Sequence, residues 1–161
     1  MNDVNIKIEE WNEPNLKKLL FLLKNSQGVK LTLSYDGESQ YSRNTEARLT
    51  GILAGIGIPS HLKGYSYIKT AVELCLKDRS ELECVTKRLY PEIAKRYSVD
   101  SNRVEHAIRH AIQTGWKQDN KRMKEVLFGY SVGKDKKPTN AAFIATITDH
   151  LQLDSEKRIP S

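Results

Sequence analysis

Long apolar runs are missing from this 161-residue chain, and so is any Gly-rich phosphate loop, nucleophile elbow or close carboxylate pair with acid–base spacing. The first absence excludes a membrane-spanning helix, which needs about 18 consecutive apolar residues. The others leave no catalytic set, so an enzyme is not expected and no cofactor is implied. Only two cysteines are present, Cys75 and Cys84. They sit inside helical patterns without metal-ligand spacing, which excludes a disulfide-stapled scaffold and points to reduced packing residues. Of the four histidines, His61, His106, His110 and His150, only His106 and His110 share a helix face, and a His-x3-His pair without a third ligand makes no zinc site. The opening residues MNDVNIKIEE are acidic and polar, unlike a secretory signal, so a cytoplasmic protein without membrane contact is expected.

What is present is an unevenly placed positive charge. A composition 39% hydrophobic and 29% charged fits one modest globular domain, or one with a small appendage. Residues 1–50 carry 7 Lys and Arg against 7 Asp and Glu, and residues 51–60 carry neither. Residues 61–140 carry 17 against 10, and residues 141–161 carry 2 against 3. The net charge of +6 therefore originates in residues 61–140, the distribution of a domain that meets a polyanion.

VNIKIEEW (4–11) and VKLTLSY (29–35) alternate like strands, and between them Asn12 and Pro14 open a helix carrying Leu16, Leu19, Leu20 and Leu23. Residues 1–37 thus read as a small β-α-β unit. Two strands and one helix bury little, so the unit is expected to pack on the rest of the chain or on a second copy, as a dimerisation element. Residues 38–46 (ESQYSRNTE), polar and without apolar period, read as a linker. Beyond them the period is helical. ARLTGILAGIG is stopped by Gly57 and Pro59, and GYSYIKTAVELCLKD places Tyr65, Ile68, Ala71, Val72, Cys75 and Leu76 on one stripe. A Ser80–Glu83 capping box opens a helix that Pro91 interrupts or restarts. Residues 117–138 are basic around an apolar knot of Val126, Leu127, Phe128 and Tyr130. Thr139 caps a last helix with Phe143, Ile144, Ile147 and Leu151 on its stripe. The expected fold is mainly α: a helical helix-turn-helix domain over 47–153, preceded by the β-α-β unit and followed by a tail at 154–161.

The stretch DSNRVEHAIRHAIQTGW (100–116) carries the functional signal. Val104, Ala107, Ile108, Ala111, Ile112 and Trp116 make an apolar helical stripe. Opposite it lie Asn102, Arg103, Glu105, His106, Arg109, His110 and Gln113, rich in planar, directional hydrogen-bond groups where a merely solvated face would carry Glu–Lys pairs. PEIAKRY precedes it, and Ser98-Val99-Asp100 supplies a short turn and a cap. This is the grammar of a helix-turn-helix, whose second helix lies in the major groove, although plain helical bundles share the geometry. In that arrangement Arg103 and Arg109 would meet guanine edges or nearby phosphates, Glu105 would accept from a cytosine amine, and His110 would position the backbone. Lys134, Lys136 and Lys137 are either a solvated loop or a clamp on flanking phosphates. Tyr90, Tyr97 and Trp116 continue apolar stripes and are assigned to the core.

GIPSHLKGYSYIKTAVELCL, TKRLYPEIAKRYSVDSNRVEHAIRHAI, LFGY and KPTNAAFIA together resemble the DNA-binding effector domains of the sporulation response regulators, the stage-zero sporulation protein A family of endospore-forming bacteria. The similarity spans residues 47–153. It implies an all-α fold, a recognition helix at 101–117, a short operator of T-G-x-C-G-A-A type and dimer contacts through the last helix. Two departures stand out. The family's receiver domain has no counterpart here, because residues 1–46 are too few to make one and Asp3 and Asp36 lack acidic-pocket neighbours. The family's R-V-E-R-A-I-R-H run has Arg where this chain has His106. The implied function is a sequence-specific transcription regulator that binds double-stranded DNA as a homodimer. The rival is a receiver-less paralogue that pairs with a full-length sporulation regulator and antagonises it.

Overall fold

The computed structural model describes residues 3–8, 13–25, 30–35, 37–129 and 136–156, and most of them are helical. They fall into two units, residues 1–46 and residues 47–161. In the first, β1 (Asp3–Ile8) and β2 (Lys30–Tyr35) pair in parallel, from Asp3 opposite Lys30 to Ile8 opposite Tyr35. A parallel pair needs a crossover, and α1 (Glu13–Asn25) lies between the strands in sequence. Pro14 sits in the first turn of α1, where its missing N–H is not needed, and Glu13 and Lys24 match the two ends of the helix dipole.

Residues 38–46, expected as a linker without regular structure, are helical. α2 runs over Gly37–Ile56, so the polar stretch forms its first half. No glycine or proline interrupts the backbone between Gly37 and Gly51, so the absence of an apolar period does not by itself end a helix there. The second half of α2 supplies Leu49, Ile52, Leu53 and Ile56 to the core of the second unit. The helix stops at Gly57, whose φ of +91° lies in the region that favours glycine.

α3 (Lys63–Lys77) buries Tyr65, Ile68, Ala71, Val72 and Cys75. Burial, reinforced by the negative charge of Glu81, pushes the Cys75 thiol up to about 12, so it remains a protonated packing group. Cys84 is exposed, contrary to the packing role expected of it, because it lies in a turn that the core does not reach. The Ser80–Glu83 capping box is replaced as well. Asp78 accepts hydrogen bonds from the Ser80 N–H at 3.0 Å and the Ser80 hydroxyl at 2.6 Å. The same two bonds hold the Asp78 carboxyl below its ordinary pKa. A carboxylate two residues upstream is the stronger local acceptor, and it nucleates a tight 3-10 turn over Arg79–Leu82 in place of a new α-helix. A π-type turn over Val85–Leu89 leads into α4 (Tyr90–Tyr97), with Pro91 in its first turn.

α5 (Ser101–Lys117), α6 (Lys121–Phe128) and α7 (Asn140–Glu156) complete the unit. Thr139 caps α7 by accepting from the Ala142 N–H at 3.2 Å, and Phe143, Ile144, Ile147 and Leu151 are buried. Of the expected apolar knot, Leu127 and Phe128 pack against the core, Val126 lies on the exposed side of α6, and Tyr130 is outside the described residues. Phe128 bridges Trp116 and Phe143, with ring centroids 5.2 and 5.6 Å away, and so joins α5, α6 and α7. No described helix is long and apolar enough to cross a membrane.

Candidate nucleic-acid interface

α4 and α5 are joined by three residues. Ser98 adopts a left-handed conformation (φ 53°), the Val99 N–H closes on the Ala94 carbonyl at 3.0 Å, and the Asp100 carboxylate accepts from the Arg103 N–H at 2.9 Å. The helix therefore starts where its cap dictates. Val104, Ile108, Ala111, Ile112 and Trp116 are buried, as the apolar stripe requires. Rotation of α5 is fixed at its crossing with α3. A Cβ built on Gly64 would come 2.0 Å from the Ala107 carbonyl oxygen, so the two backbones meet with no side chain between them. With that face locked, Asn102, Arg103, His106, Arg109, His110 and Gln113 are all exposed together.

Glu105 is the partly covered member of the set. Its carboxylate forms an ion pair with Arg109 one turn later and lies 3.6 Å from His106 Nδ1, while Arg103 Nε is 3.3 Å from Asp100 Oδ2. Arg109 has five N–H donors in a fixed fork, so its pairing with Glu105 leaves others for a phosphate or a guanine edge. Exposed pairs of this kind are worth about 1 kcal/mol or less, and they can be exchanged for nucleic acid at small loss.

The backbone of Glu105 is held from a third element. Asn140, at the start of α7, donates from Nδ2 to the Glu105 carbonyl and to the Tyr90 hydroxyl, each at 3.1 Å. Burial pushes the Tyr90 phenol above its ordinary pKa, which keeps it a neutral partner for that bond. One buried amide thus touches both α4 and α5. Asn140 was not among the residues the sequence singled out, since a polar residue directly after a cap reads as part of a solvated first turn. Lys136 and Lys137 are exposed a few residues before Asn140, in the segment that enters α7 beside α5, and Lys134 lies outside the described residues.

Tyr90 and Trp116 are buried as expected, but Tyr97 is not. Its ring stands edge-on to Tyr67 at 4.8 Å and its hydroxyl pairs with Thr70 Oγ1 at 2.9 Å, so one side stays in solvent. Lys124 departs in the other direction. It is buried, donating to the Trp116 and Gln118 carbonyls at 3.0 and 2.5 Å and sitting 5.5 Å from the Trp116 ring centroid. This cation closes the C-terminal end of α5 and is not available to a polyanion. Among the described residues no group of three or more His, Cys, Asp or Glu side chains is arranged to hold a metal ion.

Across residues 49–151, from the last two turns of α2 into the final turns of α7, the sequence matches the family described as sporulation initiation factor Spo0A C terminal.

Proposed function

The chain belongs to the Spo0A C-terminal family of DNA-binding effector domains, and from that membership we propose that α5 reads the major groove of a specific operator as the recognition helix of a transcription regulator. The observation that carries this reading is the set of six exposed, hydrogen-bonding side chains on the second helix of the helix-turn-helix: Asn102, Arg103, His106, Arg109, His110 and Gln113. Arg103 and Arg109 supply guanidinium forks for guanine edges or phosphates. Glu105 orients Arg109 and keeps lone pairs for a cytosine amine, and His110 meets the backbone. Lys136 and Lys137 clamp the phosphates that flank the groove. The regulator acts as a homodimer, with the β-α-β unit as its assembly element.

Operator binding measured against salt tests this reading. Log K is expected to fall by about 0.9 for each phosphate neutralised. Replacing Lys136 and Lys137 by Ala reduces that slope and leaves base preference intact, whereas Arg109→Ala weakens binding by roughly 1–3 kcal/mol and relaxes preference at its base pair. A titration that stays flat from low to moderate salt removes the proposal. The second reading, a partner that pairs with a full-length regulator and antagonises it, draws support from Leu153, an exposed apolar residue on α7. A stable complex with that regulator and no operator affinity favours it.

A further inference from the structure

Among the described residues, most of the large apolar side chains that remain in solvent lie on one short helix. In α1, Leu16, Leu20, Phe21, Leu22 and Leu23 are 38 to 67% exposed, and no α1 residue is buried. Elsewhere among the described residues only Tyr97, Val126 and Leu153 are comparable, and they are scattered. Of the α1 side chains, Leu16, Leu20 and Leu23 share one face of the helix, and an exposed apolar face marks a surface that something covers.

The order of the leucines says what covers it. Leu16, Leu19, Leu20 and Leu23 are three, one and three residues apart, a stripe at helical period that reads the same in both directions. Turning a second α1 end for end about the midpoint between Leu19 and Leu20 sets Leu16 of one copy against Leu23 of the other, and Leu19 against Leu20. A closed dimer demands this property, because a twofold interface uses one patch on both copies and must complement itself.

The charges favour the same arrangement. Glu13, Lys17 and Lys24 follow one flank of the stripe, with Glu13 already 2.7 Å from Lys17 on its own copy. Reversal brings Glu13 of one copy within two residues, about 3 Å along the axis, of Lys24 of the other. It also sets the two helix dipoles head to tail. A parallel pair would place the matching flank of the second copy on the opposite side of the seam and lose this approach. Residues 1–50 carry equal numbers of positive and negative side chains, so two such units approach without net repulsion.

We infer that two copies of this chain associate through α1, antiparallel, about a twofold axis between Leu19 and Leu20. The inference gives the proposed homodimer its surface and stands apart from the reading of DNA, so its test contains no DNA. A patch of three exposed leucines and the half-buried Leu19 per copy falls short of the roughly 1,000 Å² expected of a stable interface, and the pair is therefore concentration-dependent.

Sedimentation of the full chain over a micromolar series is expected to show a monomer–dimer equilibrium that Leu20→Glu weakens at least tenfold. Cross-linking fixes the geometry without relying on that variant's folding. In a Cys84→Ser background, where the remaining Cys75 is buried, copies carrying Leu16→Cys should oxidise to a disulfide with copies carrying Leu23→Cys faster than either kind does with itself. Self-linking of Leu16→Cys as the fastest reaction would mean a parallel pair and overturn the inference. So would a chain that sediments as a monomer throughout, or a Leu20→Glu protein that associates like the parent, either of which leaves the face to another part of the chain or to a different partner.

Discussion

His106 tests the interface at the scale of one side chain. Its side chain is 72% exposed, and its Nδ1 lies 3.6 Å from the Glu105 carboxylate. Its replacement should therefore alter recognition without altering stability by more than about 0.5 kcal/mol. A histidine presents at most one donor to a given base edge, whereas Arg presents two to guanine O6 and N7. His106→Arg is expected to sharpen preference at a single base pair by roughly 1–3 kcal/mol and to leave the other positions as they are. A binding panel that varies each operator position for both proteins measures this. Identical preferences throughout would show that position 106 reads no base. Glu105 adds a second consequence, since an arginine at 106 would compete with Arg109 for the same carboxylate.

Among the elements, α5 depends most on α3, where the missing Gly64 side chain lets the backbones meet. Gly64→Ala has no room: its methyl would overlap the Ala107 carbonyl and reach within 2.7 Å of the Ala111 Cβ. Backbone cannot swing aside as a flexible side chain can, so destabilisation of about 1–3 kcal/mol is expected, with a displaced α5 and weaker operator binding. Gly51, exposed within α2, is the control. Nothing lies within 4 Å of a Cβ there, and Gly51→Ala should stabilise by about 0.5–1 kcal/mol through helix propensity. Urea unfolding of the two variants decides the matter. Equal midpoints would mean that the crossing tolerates a side chain and that α5 is held by other contacts.

For the whole molecule, the division into units predicts what survives truncation. Among the described residues, every member of the buried apolar core, from Leu49 to Leu151, belongs to the second unit. Removing residues 1–36 takes away β1, α1 and β2 but leaves α2 intact. The shortened chain should unfold in one cooperative urea transition and retain salt-dependent DNA binding, while losing self-association in sedimentation. A truncated chain that is unfolded, or that sediments as the same oligomer as the parent, would contradict this division of labour.

Local features were legible from the sequence. The apolar stripes of α3, α5 and α7, the Asp100 and Thr139 caps and the Gly57 stop each depend on residues within a few positions of one another, and the structure has all of them. The exposed face of α5 followed from its buried one, because a helix that commits one stripe to the core presents the opposite side. The failures have a common cause too. Near neighbours supplied an alternative that no period distinguishes: Asp78 outcompeted Ser80 as a cap, and the polar residues 38–46 continued a helix. Other features belong to tertiary structure alone. Asn140 reaches Glu105 across 35 positions, Gly64 meets Ala107 across 43, and Tyr97 lies against Tyr67 on a different helix. Helix period and capping are set by bonds within a turn or two, and so they can be read along the chain. How closely two helices approach, and which buried amide finds which carbonyl, is decided when distant segments compete for the same space.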